Sequence, residues 1–137
     1  MRISPYVAFN GNCAEALAFY EKAFGAKPKI VRYKDAPADA DYQPAPGTED
    51  LVMHADLKIG GEMIMCADMP PEYSVKIGDN ITIMAEFDSL DAAKKAFDVL
   101  KEGGKVDMEL QKTFWSACFG SLTDKFGISW NISVQED

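Results

Sequence analysis

An order of elements written twice restricts this chain more than any other feature. Residues 3–9, ISPYVAF, read as a short strand, and the turn NGN leads into a helix over Cys13–Phe24. Cys13, Leu17, Tyr20 and Phe24 form one stripe of that helix, since apolar residues three and four apart share a face. Asn12 followed by Glu15 is a capping-box pattern, and Gly25 suits the position just past the helix end. Strands are expected over about 29–33 and in a hairpin over 51–67 that turns at Gly60-Gly61. Then the order restarts. ITIMAEF, residues 81–87, is a strand, and Ser89 or Asp88 can cap a helix over about Leu90–Lys101. Its stripe is Leu90, Ala93, Phe97 and Leu100, Gly103-Gly104 ends it, and strands follow over about 105–111, 116–123 and 128–134. A repeated supersecondary unit of this kind predicts an α+β fold. Two βαβββ modules, about 1–70 and 78–137, would form one 137-residue domain.

The alternation within the strands sorts residues onto faces. A turn at Gly60-Gly61 sets Lys58 opposite Met63, Asp56 opposite Met65 and His54 opposite Ala67. His54, Asp56 and Lys58 then share a face with Met63 and Met65, while Ala55, Leu57, Ile59, Ile64 and Cys66 share the other. In the second module Ile81, Ile83, Phe87, Ile128, Trp130 and Ile132 suit a face covered by a helix. The opposite face carries Thr82, Met84 and Glu86 with Ser129, Asn131 and Ser133. A helix covers only one side of a sheet. Two such sheets, curved and with their helices outside, would form a cup around a half-polar cavity.

Composition excludes several classes. The net charge of -8 argues against nucleic acid or an anionic membrane as the partner, because both reward clustered Lys and Arg. No apolar run approaches the roughly 20 residues of a membrane-spanning helix. The start MRISPYVAFNGN lacks a signal peptide's apolar region, so a cytoplasmic protein is expected. Cys13, Cys66 and Cys118 have no metal-site spacing and read as free, buried thiols. A lone histidine, His54, makes a His-rich metal site impossible. The composition DAPADADYQPAPGTED marks a long loop over 34–50.

The segments PYVAFNGNCAEALAFYEKAFGA, HADLKIGGEMIMCAD and TFWSACFGSLTDKFGISWNI together resemble the PhnB-like branch of the vicinal-oxygen-chelate superfamily. Glyoxalase I, extradiol dioxygenases and bleomycin-resistance proteins belong to the wider group. The resemblance implies paired βαβββ modules, a cup-shaped mixed sheet around a ligand cavity, and a homodimer. Metal-using members place a ligand on the first and last strand of each module. Carried over by motif, those places fall on Pro5, Met65, Thr82 and Asn131, with Cys66 beside the second. Proline offers no side-chain donor, a thioether is soft, and Thr and Asn are neutral, so no metal and no cofactor is expected. The branch's methyltransferase label needs a glycine-rich strand-to-helix turn. The Gly-Gly pairs here sit instead at a hairpin and a helix end.

Three functional readings follow. The first is a metal-free protein binding a small organic molecule, with Val7, Phe9, His54, Met63, Met65, Thr82, Met84, Trp115 and Asn131 around it. The second is a lyase, isomerase or dioxygenase-type enzyme with a relocated or absent metal site. It would use His54 and Glu86 as acid–base groups, or His54, Asp56 and Glu86 as ligands. The third is a structural dimer whose cavity is filled by its own side chains.

Overall fold

The structure, a computed structural model, describes residues 1–37 and 45–135. The central part of the loop expected over 34–50 lies outside the described residues. Two compact units divide the chain, residues 1–21 with 25–76, and residues 22–24 with 77–137. Among the described residues no helix is long and apolar enough to cross a membrane.

The first unit holds β1 (Tyr6–Phe9), α1 (Cys13–Phe24, its last residues in the second unit), β2 (Lys29–Arg32), β3 (Val52–Ile59) and β4 (Glu62–Asp68). The sheet order is β1-β4-β3-β2, with β1 parallel to β4 and the other pairs antiparallel. The hairpin turns at Gly60-Gly61, and Lys58 faces Met63 and Asp56 faces Met65, as the alternation predicts. Gly25 ends α1 in the left-handed region at φ 70°, where its N–H donates to the Glu21 carbonyl.

The start of α1 differs from the capping-box expectation, for Asn12 makes no side-chain cap bond. Asp68 caps the helix from the far end of β4. Its Oδ1 accepts the Cys13 N–H at 2.9 Å, and its Oδ2 accepts the Val52 N–H at 2.9 Å. A buried carboxylate needs such donors, and the positive end of a helix favours it. On β3 a bulge intervenes: Val31 pairs with His54, but Arg32 pairs with Val52. The extra residue, Met53, shifts the alternation, so Val52 is buried with Ala55 and Leu57 rather than lying beside His54.

The second unit repeats the plan with β5 (Thr82–Phe87), α2 (Leu90–Leu100), β6 (Lys105–Gln111), β7 (Cys118–Thr123) and β8 (Ser129–Val134). Its order is β5-β8-β7-β6, with β5 parallel to β8. Ser89 caps α2, its hydroxyl accepting the Ala92 N–H at 3.3 Å. Ala93, Ala96, Phe97, Val99 and Leu100 are buried, and α2 packs on β5, β7 and β8. Leu90, expected on this stripe, is exposed in the first turn; Ile81, expected on the covered face, precedes β5 and is exposed too.

The covered face is built around Trp130, 1% exposed, with Ile132, Val134, Leu122 and Cys118. Gly120 sits where the helix comes closest. A Cβ there would lie 2.9 Å from the Phe97 ring and 3.0 Å from Leu110. Asp124 organises the DKFG turn from inside. Its Oδ1 accepts the Phe126 and Ile128 N–H groups, and its Oδ2 accepts the Trp130 indole N–H at 2.9 Å.

Candidate functional site

In each unit one sheet face is buried and the other open, and the open faces differ in chemistry. In the second unit one row crosses four strands, Thr82 beside Ser129, Ser129 beside Thr123 and Thr123 beside Lys105, and the β6–β7 register shifts after Val106. The next row carries Met84, Asn131, Ser121 and Met108. The first row, with Asn131 and Ser121 of the second, floors a cavity of 450 Å³, whose lining also includes Asp79 and Asp107. Lys105 and Asp107 stand 4.0 Å apart, and the Thr123 hydroxyl donates to Asp107 at 3.4 Å. At the other end of this face Glu86 accepts the Gln135 side-chain N–H at 2.9 Å.

Trp115 stands edge-on to Phe119, with ring centres 5.6 Å apart, and Phe114 stands edge-on to Trp115 at 4.7 Å. Phe114 is 96% exposed and Trp115 55%. The segment that carries them is fastened by buried Ser116, whose hydroxyl donates to the Cys118 or Val134 carbonyl and meets Ser133 at 2.9 Å.

In the first unit the open face carries a chain of three side chains. Tyr6 meets His54 Nδ1 through its hydroxyl at 3.0 Å, and His54 Nε2 meets Asp56 Oδ1 at 2.8 Å. An ionised Asp56 can only accept, so Nε2 carries a proton. In the neutral ring Nδ1 is then an acceptor, and the tyrosine hydroxyl donates to it. Partial burial, with the neighbouring Cys66, Cys13 and Asp56 acting in the same direction, pushes the Tyr6 phenol above its ordinary value.

The residues singled out by sequence fall as follows. Thr82 and Asn131 line the 450 Å³ cavity, and Met84 is Asn131's neighbour on the same face. Met63 and Met65 pair with Lys58 and Asp56 on the face of His54. Val7 and Phe9 go elsewhere: Val7 pairs with Cys66 and Phe9 with Asp68, on the side of buried Ala55. Strand alternation gives the open face to Tyr6 instead. His54 and Asp56 are joined, whereas Glu86 belongs to the second unit and is engaged by Gln135.

Of the four places that the motif resemblance assigns to metal ligands, Pro5 contributes its backbone carbonyl to the Met65 N–H at 2.9 Å. Met65, Thr82 and Asn131 stand on open faces. Cys66, the neighbour considered for the second place, is buried and hydrogen-bonded with Cys13, whose thiol that bond and burial push strongly up. All three cysteines are free and buried. Among the described residues no three of His, Cys, Asp and Glu converge as metal ligands would.

Comparison with known proteins settles the family. Residues 2–132 match the model of the Glyoxalase/Bleomycin resistance protein/Dioxygenase superfamily. The chain belongs to that superfamily. Within it, the chain is 33% identical over 141 residues to protein YjdN of Escherichia coli, covering 98% of this chain and 95% of YjdN. Among solved structures it is similar to protein PA1353 of Pseudomonas aeruginosa, with TM-score 0.84 and 36% identity over 100% of this chain and 99% of the other. A PhnB protein of Bacillus cereus that carries a 3-demethylubiquinone-9 3-methyltransferase name matches with TM-score 0.72 and 27% identity, over 98% and 99% of the two chains. The PhnB-like resemblance read from the motifs is therefore shown. The superfamily's paired modules appear here as two four-stranded mixed sheets of one topology.

Proposed function

We propose that this superfamily member binds a small polar organic molecule on the open face of its second sheet, with no transition metal at the shared position. The observation that carries the reading is the 450 Å³ cavity floored by Thr82, Ser121, Thr123, Ser129 and Asn131. These are neutral hydrogen-bonding groups on a sheet, a rigid platform that orients a ligand by directed bonds, with Asp79, Lys105 and Asp107 adding charge of both signs to the lining. The motif resemblance assigns two of them, Thr82 and Asn131, to places where metal-using relatives put His, Gln or Glu. A hydroxyl and a neutral amide there, with Pro5 and Met65 at the other two places, are a poor donor set for a divalent transition metal.

The proposal takes the chain as one domain, homodimeric and cytoplasmic, with neither nucleic acid nor membrane as partner. The net charge of -8 supports the last point. The exposed Phe114–Trp115 pair supports an apolar contact between copies. A methyltransferase activity is not carried over, because Gly60-Gly61 is a hairpin turn and Gly103-Gly104 follows a helix end.

The test combines calorimetric titration of Ni²⁺, Mn²⁺ and Zn²⁺ with a thermal-shift screen of small polar metabolites. The expected result is no metal bound tighter than about -8 kcal/mol, the micromolar range, and at least one metabolite shift that Asn131→Leu abolishes. Joint Thr82→His and Asn131→Glu substitution should then raise metal affinity. Stoichiometric metal binding by the unaltered protein overturns the reading.

A further inference from the structure

The open face of the first sheet holds an assembly that the cavity of the second unit does not use. Tyr6, His54 and Asp56 come from two strands that are not neighbours in the sheet, since β4 lies between β1 and β3. Register brings them together: Tyr6 pairs with Met65, and Met65 with Asp56. Two hydrogen bonds, 3.0 Å and 2.8 Å, link the phenol to the imidazole and the imidazole to the carboxylate. The side chains are reachable: Tyr6 is 55% exposed, and the His54 and Asp56 side chains are 36% and 34% exposed. A hydroxyl bonded to a base that a third group orients is the arrangement of an activated proton carrier.

We infer that Tyr6, His54 and Asp56 form a metal-free proton relay that interconverts the keto and enol forms of a small anionic carbonyl compound. Tyr6 Oη takes the proton from the carbon beside the substrate carbonyl as its own phenolic proton passes to His54 Nδ1. The C–H electron pair becomes the enolate double bond, and the charge moves to the substrate oxygen. Asp56 stabilises the imidazolium through the Nε2–H bond. Return of the proton from His54 through Tyr6 to the enolate oxygen completes the tautomerisation, and nothing else is consumed.

The charge of the substrate follows from the rest of the face. Lys29 of β2 pairs with Asp56, and Lys58 follows Asp56 two residues along β3 on the same side. Neither lysine has an ion pair among the described residues, so both can attract a carboxylate. β4 adds Met63 and Met65, which are uncharged, and β1 adds Tyr6 itself. The titratable and charged groups facing His54 are thus Tyr6, Asp56, Lys29 and Lys58.

The relay is tested with the full chain and acetoacetate, an anionic ketone with an acidic C–H, by following deuterium uptake from solvent at its methylene by NMR. Wild type should exchange faster than buffer, and Tyr6→Phe and His54→Gln should each slow exchange by about 100-fold with unchanged melting temperature. Asp56 acts as a positioning residue. Asp56→Asn should therefore lower kcat for exchange, because the imidazole loses the group that orients it, while KM for acetoacetate stays within about twofold. Exchange no faster than buffer, or exchange that survives both Tyr6→Phe and His54→Gln in folded protein, overturns the relay. The proposed cavity site in the second unit stands or falls separately, since its test reads Asn131.

Discussion

The two modules share a topology and differ in what their open faces can do. Sheet order β1-β4-β3-β2 repeats as β5-β8-β7-β6, and each unit joins its first and last strands in parallel. Each also has a buried aspartate near the end of its build, Asp68 in the first and Asp124 in the second. The open faces then diverge. One has a tyrosine, a histidine and a carboxylate in a hydrogen-bonded chain with two lysines nearby. The other has hydroxyls and an amide around a cavity. The repeat therefore constrains the covered side, where side chains must interlock, and leaves the open side able to take different chemistry in each copy.

The sharpest way to break the comparison is at the two aspartates. Asp124 serves two backbone N–H groups and the Trp130 indole; Asp68 serves two backbone N–H groups and caps a helix. Alanine at either place leaves buried donors without partners. Asp124→Ala should cost about 3 kcal/mol or more and Asp68→Ala about 2 kcal/mol, counting roughly 1 kcal/mol for each orphaned donor. Urea unfolding measures both. Asp124→Asn keeps one oxygen and should fall between wild type and Asp124→Ala. A larger loss at Asp68 would mean that capping α1, rather than the number of donors, sets the scale.

A second contrast separates covered from open face inside one module. Gly120 lies against Phe97 and Leu110, so Gly120→Ala forces overlap and should cost about 1–3 kcal/mol. Thr82→Val and Asn131→Leu alter the open face of the same sheet and should change stability by no more than about 0.5 kcal/mol. A destabilisation at Asn131 comparable to that at Gly120 would make Asn131 a structural residue and weaken its role as a ligand contact.

The fold was legible because its signals are local and periodic. The limits of α1, the turn at Gly60-Gly61 and the strands of the second module all follow from spacing, turn residues and alternation. What escaped depends on partners distant in sequence. Asp68 replaces Asn12 as the cap of α1 from 55 residues away, and no capping pattern can show that. Tyr6 was missed as a partner of His54 because parallel pairing of β1 with β4 carries no register signal of its own. Val7 and Phe9, expected around the ligand, pair on the side of buried Ala55, and Tyr6, one place before Val7, is the one facing outward. On β6 and β7 the signal was present. Lys105 and Asp107 alternate with Val106, and Ser121 and Thr123 flank Leu122, yet only the pairing across four strands turns that alternation into a cavity floor.

The smallest expected effect tests the first module's open face by pH. The Tyr6 phenol lies above its ordinary value, chiefly because partial burial disfavours the phenolate, with the neighbouring Cys66, Cys13 and Asp56 acting in the same direction. The folded state therefore holds this proton more tightly than the unfolded chain does. Its stabilising contribution is full below the unfolded phenol's value of about 10 and is lost as pH rises through the higher folded value. Stability measured from pH 8 upward should decline more steeply in wild type than in Tyr6→Phe, the two curves drawing together at high pH. Ultraviolet titration of the five tyrosines should lose a step above the ordinary phenol range in Tyr6→Phe. His54→Gln leaves the burial in place and should keep that step, because desolvation is the leading cause. If His54→Gln removes the step, the bond to the imidazole governs Tyr6, and the coupling within the relay is tighter than burial alone would give.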